Sequence, residues 1–320
     1  MSIHIESEEP IKRKFSLVEK IKAYIDLTRA HFAIVWPILF CSGLMLAFKQ
    51  YNDFSWTLLI KVAFIGLFGF EAGMVLNDIL DRNIDHIEPD KKMTKYWRPF
   101  NERPIPSGKV SLTEAVVVFC VFLAVAIGLI ASLPYPNFLY VFGIMIYAYL
   151  VESFYNIKKR NQKAPFAQLI GRTDLTVFPI AGYLCFGQIT DFPIFIYLLL
   201  LYPWALAHLG ANDIADYEND KAKDMKTITV LYGIKGNVVW IAVSTLVHLA
   251  IIPAAYFILN LGYVALGCFC LAAVILIIAN ILLIKKQTPE MGLKILPMFH
   301  ASLFLYTTSI IIDSALVISL

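Results

Sequence analysis

The sequence has little charge. Asp, Glu, Lys and Arg make up only 16% of its 320 residues, while 59% are hydrophobic. An ordinary soluble domain is about 25% charged and roughly 45–50% apolar. Net charge is only +3, which gives no case for nucleic acid as a partner. Cysteine is also sparse. Cys41, Cys120, Cys185, Cys268 and Cys270 all lie in apolar runs. Cys268 and Cys270, two residues apart, point to different faces of a helix, and all five read as small packing residues, not a metal or disulfide framework. The first 30 residues are polar and basic and lack a small-residue cleavage site, so no cleavable signal peptide is expected. No break in composition marks a second domain.

The apolar residues are gathered in segments of about 20, the length that spans a hydrocarbon core of roughly 30 Å. Nine crossings are predicted, near 32–48, 56–77, 112–132, 138–155, 166–187, 193–211, 238–258, 262–284 and 293–318. Basic residues are missing from alternate turns, such as "SLPYPN" (132–137) and "QITDFP" (188–193). The other loops hold 24 of the 27 Lys and Arg, in 1–30, 78–111, 156–165, 213–237 and 285–294. The positive-inside rule places these loops and the N-terminus in the cytoplasm. The expected fold is therefore all-α: an integral, multi-pass cell-membrane protein in contact with membrane lipids. Residues 1–30 form a basic cytoplasmic segment. Residues 31–320 form one nine-helix domain capped by loops 78–111, 156–165 and 213–237.

Two acidic strings stand out. "NDILDRNID" begins at Asn77 and "NDIADYEND" at Asn212, 135 residues later, each at the cytoplasmic end of an even-numbered crossing. Asn77, Asp81 and Asp85 are four apart and form one helical stripe, with Asp78 beside it. Asp213, Asp216 and Asp220 form another. Like charges at these spacings repel, and the negative pole of a helix C-terminus disfavours anions, each by a few tenths to ~1 kcal/mol. Bound cations remove both penalties. Oxygen ligands suit a hard ion, and Mg²⁺ joins one or two carboxylates to phosphate oxygens. Two such clusters beside basic loops describe a receptor for a diphosphate, and the adjacent bilayer suggests a lipid tail. The basic residues on offer are Arg103 in "NERPIPSG", Lys159 and Arg160 after Tyr155 in "YNIKKR", and Lys226 in "KDMKTITVLYG".

The ordered set "NDILDRNID", "RPIPSG", "YNIKKR", "DYEND" and "KTITVLYG" resembles the UbiA superfamily of intramembrane prenyltransferases over about residues 20–315. The resemblance implies a nine-helix fold with a central cavity, two Mg²⁺ ions and an isoprenoid diphosphate donor. It implies metal roles for Asn77, Asp78, Asp81, Asp85, Asp216 and Asp220. Asp213 is an extra acid that some relatives share. Tyr155, Lys159 and Lys226 match the family's tyrosine and lysines, so Tyr155 and Lys226 are candidates for catalysis and, with Lys159 and Arg103, for diphosphate binding. The stretch 86–104 is longer than the family's usual link, which leaves both Arg98 and Arg103 as candidates; the "RPIPSG" context favours Arg103.

The chemistry expected is loosening of the allylic C–O bond, with Mg²⁺ and lysine neutralising the departing diphosphate, followed by attack of an acceptor. Aromatic helices would hold the tail. Glu71, seven residues before Asp78 and two helical turns down the same face, is a candidate to orient or deprotonate the acceptor, or to make a structural hydrogen bond. Arg172 and Asp174 bind the acceptor's polar head or each other. His208 reads as a packed histidine or an acceptor contact, and Arg29 and His31 as interface anchors. The acceptor is a lipid or an aromatic ring. "GANDIADYENDKAKDMKT" resembles the ether-lipid branch, giving geranylgeranyl transfer to the hydroxyl of geranylgeranylglyceryl phosphate as the leading expectation and C-prenylation of a quinone precursor as the alternative. A cation-coupled transporter would place its ions near the midplane, at broken helices. A phosphatidyltransferase would need only one acidic motif.

Overall fold

A computed structural model describes residues 15–318, so residues 1–14 of the expected basic segment 1–30 lie outside the described residues. Thirteen α-helices follow one another: α1 (Leu17–Leu27), α2 (Val35–Tyr51), α3 (Trp56–Asp81), α4 (Lys92–Trp97), α5 (Leu112–Ala131), α6 (Asn137–Lys158), α7 (Phe166–Gly171), α8 (Thr173–Leu184), α9 (Phe192–Ala215), α10 (Tyr217–Ala222), α11 (Ile228–Ile258), α12 (Tyr263–Lys285) and α13 (Pro289–Val317). No strand occurs among the described residues.

Eight of these are long and apolar enough to cross a membrane: α2 with its preceding turn, α3, α5, α6, α9, α11, α12 and α13. The expected fifth crossing, 166–187, is instead two short helices, α7 and α8, meeting at Arg172. The expected seventh crossing, 238–258, lies in the second of two helical stretches within α11, which Gly233 separates with its non-helical φ of 73° and ψ of 170°.

The bundle puts polar groups inside and apolar ones outside, as a lipid solvent requires. Val117, Leu150, Val239 and Leu246 are exposed, whereas Ser42, Thr245, His248 and Ser302 are buried. Each of these four finds a partner across a helix interface. Ser42 Oγ meets Tyr197 Oη at 2.6 Å, and Trp204 Nε1 donates to Ser302 Oγ at 2.8 Å. Where α2 crosses α8, a Cβ on Gly43 would lie 1.7 Å from the Pro179 carbonyl oxygen, and one on Gly182 would lie 1.9 Å from that of Phe40. Only glycine permits this backbone approach.

The loops sort into two ends. At one end Lys61 reaches the Ser132 carbonyl at 3.3 Å, Tyr51 donates to Asp191 at 2.7 Å, and Asn137 caps α8 through the Leu184 and Gly187 carbonyls. At the other end the basic loops close over the bundle. Asp26 of α1 accepts from the backbone N–H groups of Phe100 and Glu102 at 2.8 and 3.1 Å. Asn219 exchanges two hydrogen bonds with the Asp90 backbone, at 2.7 and 3.0 Å. Lys226 N–H donates to the Lys159 carbonyl at 2.7 Å. The three cap loops are thus tied into one lid.

Candidate active site

Beneath the lid lies a cavity of about 280 Å³. Helical phase decides which residues reach it. From α3 come Phe70, Met74, Asn77 and Asp81; from α9 come Trp204, His208 and Asn212, with Asp216 at its C-cap. Both sets repeat every three to four residues, one face of a helix. Asp85 lies just past the end of α3 and reaches the same space from the turn, and Asp220 does so from α10. Both acidic strings therefore face one cavity.

Glu71 and Asp78 sit on a different face of α3, two turns apart, and line neither this cavity nor its neighbour. This departs from the acceptor role read for Glu71 and the metal role read for Asp78. Glu71 is 3% exposed, its carboxylate oxygens have no hydrogen-bond partner, and Trp36 and Arg29 are its polar neighbours. Asp78 joins two guanidinium groups, Arg29 at 2.8 Å and Arg98 at 2.7 Å.

The other aspartates of the first string are also each held by two cations. Asp81 meets Lys159 at 2.9 Å and Arg160 at 2.6 Å. Asp85 meets Arg103 at 2.5 Å and Lys223 at 2.9 Å. The repulsion expected along the stripe is thus relieved by side chains from other loops. Burial alone would raise the Asp85 pKa, but Arg103 and Lys223 outweigh it and hold the carboxyl below its usual range.

The second string has no such help. Among the described residues no Lys or Arg nitrogen lies within ion-pair distance of Asp213, Asp216 or Asp220. Each has one oxygen tied by a neutral donor: Ile228 N–H to Asp213 at 3.2 Å, Asn219 to Asp216 at 2.6 Å, and Thr227 Oγ1 to Asp220 at 2.9 Å. Burial, and then the charges of Asp216 and Asp213, push the Asp220 carboxyl well above its ordinary range. Buried carboxylates crowded without a counter-ion suit a hard divalent cation, so the donor set fits Mg²⁺. In the described residues no three His, Cys, Asp or Glu side chains converge on one point. The first string is drawn instead to its arginines and lysines.

The basic rim differs in detail from the one expected. Arg29, read as an interface anchor, lines the cavity, as do both Arg98 and Arg103. The "RPIPSG" turn fixes Arg103. Gly108 has φ +73°, and backbone bonds run from Ser107 to Arg103 and from Gly108 to Ile105. Lys159 lines the cavity and lies 4.9 Å from the Tyr155 ring, with the Arg172 guanidinium 5.2 Å from the same ring. Lys226 does not line the cavity; its ammonium turns to Asp224 at 2.5 Å. Asp224 is in the left-handed region, which reverses the chain there and sends Lys226 outward. Lys223, three residues earlier, occupies the cavity in its place, with its side chain 5% exposed. The resemblance pointed to Lys226, and nothing in the local spacing marked Lys223.

Other polar residues also converge here. His208 Nε2 lies 3.0 Å from His300 Nε2, and His300 Nδ1 lies 2.8 Å from Tyr96 Oη. Arg172 and Asp174 are 4.0 Å apart. Glu152, which the sequence reading did not single out, accepts from Asn77 at 2.9 Å and Asn156 at 2.8 Å.

The chain matches the UbiA prenyltransferase family over residues 34–303. It belongs to that family. It is accordingly a membrane-embedded prenyltransferase, not a transporter or a phosphatidyltransferase. It is 24% identical over 298 residues to the digeranylgeranylglyceryl phosphate synthase of Korarchaeum cryptofilum, covering 92% of this chain and 98% of that one. It is 28% identical over 225 residues to the 4-hydroxybenzoate octaprenyltransferase of Vibrio atlanticus, covering 68% and 72%. The fold matches a UbiA homologue from Archaeoglobus fulgidus bound to DMAPP and Mg²⁺, with TM-score 0.67 and 17% identity over 90% of this chain and 99% of that one.

Proposed function

We propose that this chain moves a geranylgeranyl group from its diphosphate to the free hydroxyl of geranylgeranylglyceryl phosphate, forming a diether lipid on the cytoplasmic face of the cell membrane. One observation carries the reading: a single cavity holds an arginine- and lysine-rich wall, a wall of uncompensated carboxylates, and an apolar extension. That extension is a second, smaller cavity of about 60 Å³, lined by Ile65, Ile130, Val141, Ile144 and other apolar side chains, and it shares Phe70, Met74, Glu152, Asp174 and Phe178 with the first. A polar head and the start of an apolar tail would lie end to end in these two spaces.

In this reading Arg29, Arg98, Arg103, Lys159 and Lys223 bind and orient the diphosphate, since guanidinium forks match phosphate oxygens. Asp78 sets the spacing of Arg29 and Arg98, and Glu71 lies behind Arg29. Tyr155 is clamped between Lys159 and Arg172 and walls off the reacting end. Lys226 joins only by turning away from Asp224. Asp213, Asp216 and Asp220, with Asn77, Asp81 and Asp85 opposite, are the residues that would hold two Mg²⁺ ions, and bound Mg²⁺ supplies neutralisation of the leaving diphosphate. The basic cap argues for a cytoplasmic mouth and N-terminus, with α7 and α8 together completing a ninth crossing of a single domain.

The ether-lipid acceptor is favoured by the near full-length match to the archaeal synthase, against a partial match to the aromatic enzymes. The test is direct. Purified protein in detergent receives radiolabelled geranylgeranyl diphosphate, Mg²⁺ and either geranylgeranylglyceryl phosphate or 4-hydroxybenzoate, and products are separated by chromatography. A diether product is expected, and it is abolished by Asp81→Ala or Asp220→Ala in protein that remains folded. Prenylated 4-hydroxybenzoate alone would replace the acceptor, and normal turnover in either variant would reject the metal assignment.

A further inference from the structure

The collar between the two cavities contains two carboxyl groups. Glu152 on α6 and Asp174 at the start of α8 line both spaces, together with Phe70, Met74 and Phe178. Both side chains therefore border the junction of the two cavities. Asp174 is 8% exposed, accepts from the Leu175 backbone N–H, and has the Arg172 guanidinium 4.0 Å away as its cation. Glu152 faces the other way as well. Through Asn77 and Asn156 it is tied to Lys159 and hence to the head-group wall, since Lys159 donates to Asn156 at 2.6 Å.

This is the place where a bound prenyl diphosphate changes from polar to apolar, so its first carbon, the one that reacts, sits at the collar. Resting on the function proposed above, we infer that Asp174 is the catalytic base for the acceptor hydroxyl, with Glu152 as its positioning partner. The allylic C–O bond breaks and its electron pair leaves with the diphosphate. A lone pair of the acceptor oxygen forms the new C–O bond. The hydroxyl proton passes to the Asp174 carboxylate and departs to water when the products leave. A general base of this kind contributes about 10²–10⁴ in rate. The same pair gives selectivity, because a buried carboxylate is satisfied by an alcohol O–H and left unpaired by an acceptor without one.

Asp174→Asn keeps the side-chain volume and the oxygen that accepts from Leu175 but cannot take a proton. With geranylgeranyl diphosphate, Mg²⁺ and geranylgeranylglyceryl phosphate, its kcat is expected to fall about 100-fold or more, with a smaller change in acceptor KM, while gel filtration reports intact protein. Glu152→Gln is expected to fall less. Asp174→Gly opens a gap that formate fills, and sodium formate is expected to restore at least about tenfold of its lost rate. A merely structural carboxylate would show no such rescue. Asp174→Asn retaining more than one-tenth of wild-type kcat, or Asp174→Gly failing to respond to formate, overturns the assignment while the prenyl transfer itself stands. Wild-type protein that makes no ether from this acceptor overturns both.

Discussion

Asp78 offers the sharpest discrimination between two readings of the first acidic string. As a metal ligand it would act through Mg²⁺. As the structure has it, the carboxylate is buried between Arg29 and Arg98, at 2.8 and 2.7 Å, off the cavity wall. Asp78→Asn removes the charge and leaves two buried guanidinium groups facing each other. Breaking a buried ion pair by removing one partner costs roughly 3–5 kcal/mol. At about 2–4 °C per kcal/mol, the apparent melting temperature in detergent should fall on the order of 10 °C. Added diphosphate supplies the missing negative charge, so it should stabilise the variant more than the wild type. The Mg²⁺ concentration for half-maximal activity should stay within about twofold of wild type, because no metal contact is lost. Thermal unfolding by tryptophan fluorescence, with and without inorganic diphosphate, and a Mg²⁺ titration of activity read all three. A variant of wild-type stability that needs tenfold more Mg²⁺ would refute the reasoning and return Asp78 to the metal.

The two lysines of the second loop should separate in the same assay. Lys223→Ala removes a cavity cation bound to Asp85 and should lower kcat/KM for the donor by about tenfold or more, whereas Lys226→Ala, on the exposed side of the turn, should stay within about threefold. Gly171→Ala should act through Tyr155, since the added Cβ falls 2.7 Å from a ring carbon. An overpacking cost of about 1–3 kcal/mol and a displaced ring are expected, seen as lower transfer that Tyr155→Leu in the same chain partly relieves. Asp85 gives a pH signature. Its folded-state pKa lies below the ordinary value, so its contribution to stability is present above about pH 4 and lost as pH falls through the folded value. In Mg²⁺-free protein the melting-temperature gap between wild type and Asp85→Asn should be open at pH 7 and close in acid. A gap independent of pH would disprove the ion-paired state.

Much of the cavity was legible because helical periodicity is a local property. Asn77 and Asp81 share a stripe on α3, and the structure keeps them on the cavity with Phe70 and Met74. The same rule correctly grouped Glu71 with Asp78, but periodicity says only that residues share a face, not which neighbour that face meets. The cation partners of Asp78, Asp81 and Asp85 come from four segments of the chain, around residues 29, 98–103, 159–160 and 223, so no spacing could reveal them. Glu152 was invisible for the same reason: its neighbours in the collar are contributed by α3 and α8.

By itself the sequence determined that this chain is a helical membrane protein with a basic end, two acidic strings and the ordered motifs of the UbiA family. Those follow from segment length, charge asymmetry and residue order, which need no knowledge of distant contacts. Only the tertiary structure decided that Lys223 and not Lys226 faces the cavity, that Arg29 is part of its wall, that the fifth apolar run is two helices, and that one acidic string is neutralised while the other is left bare. Each of those depends on which side chains meet across loops far apart in the chain, where electrostatic attraction over a few ångströms outweighs anything the local pattern encodes.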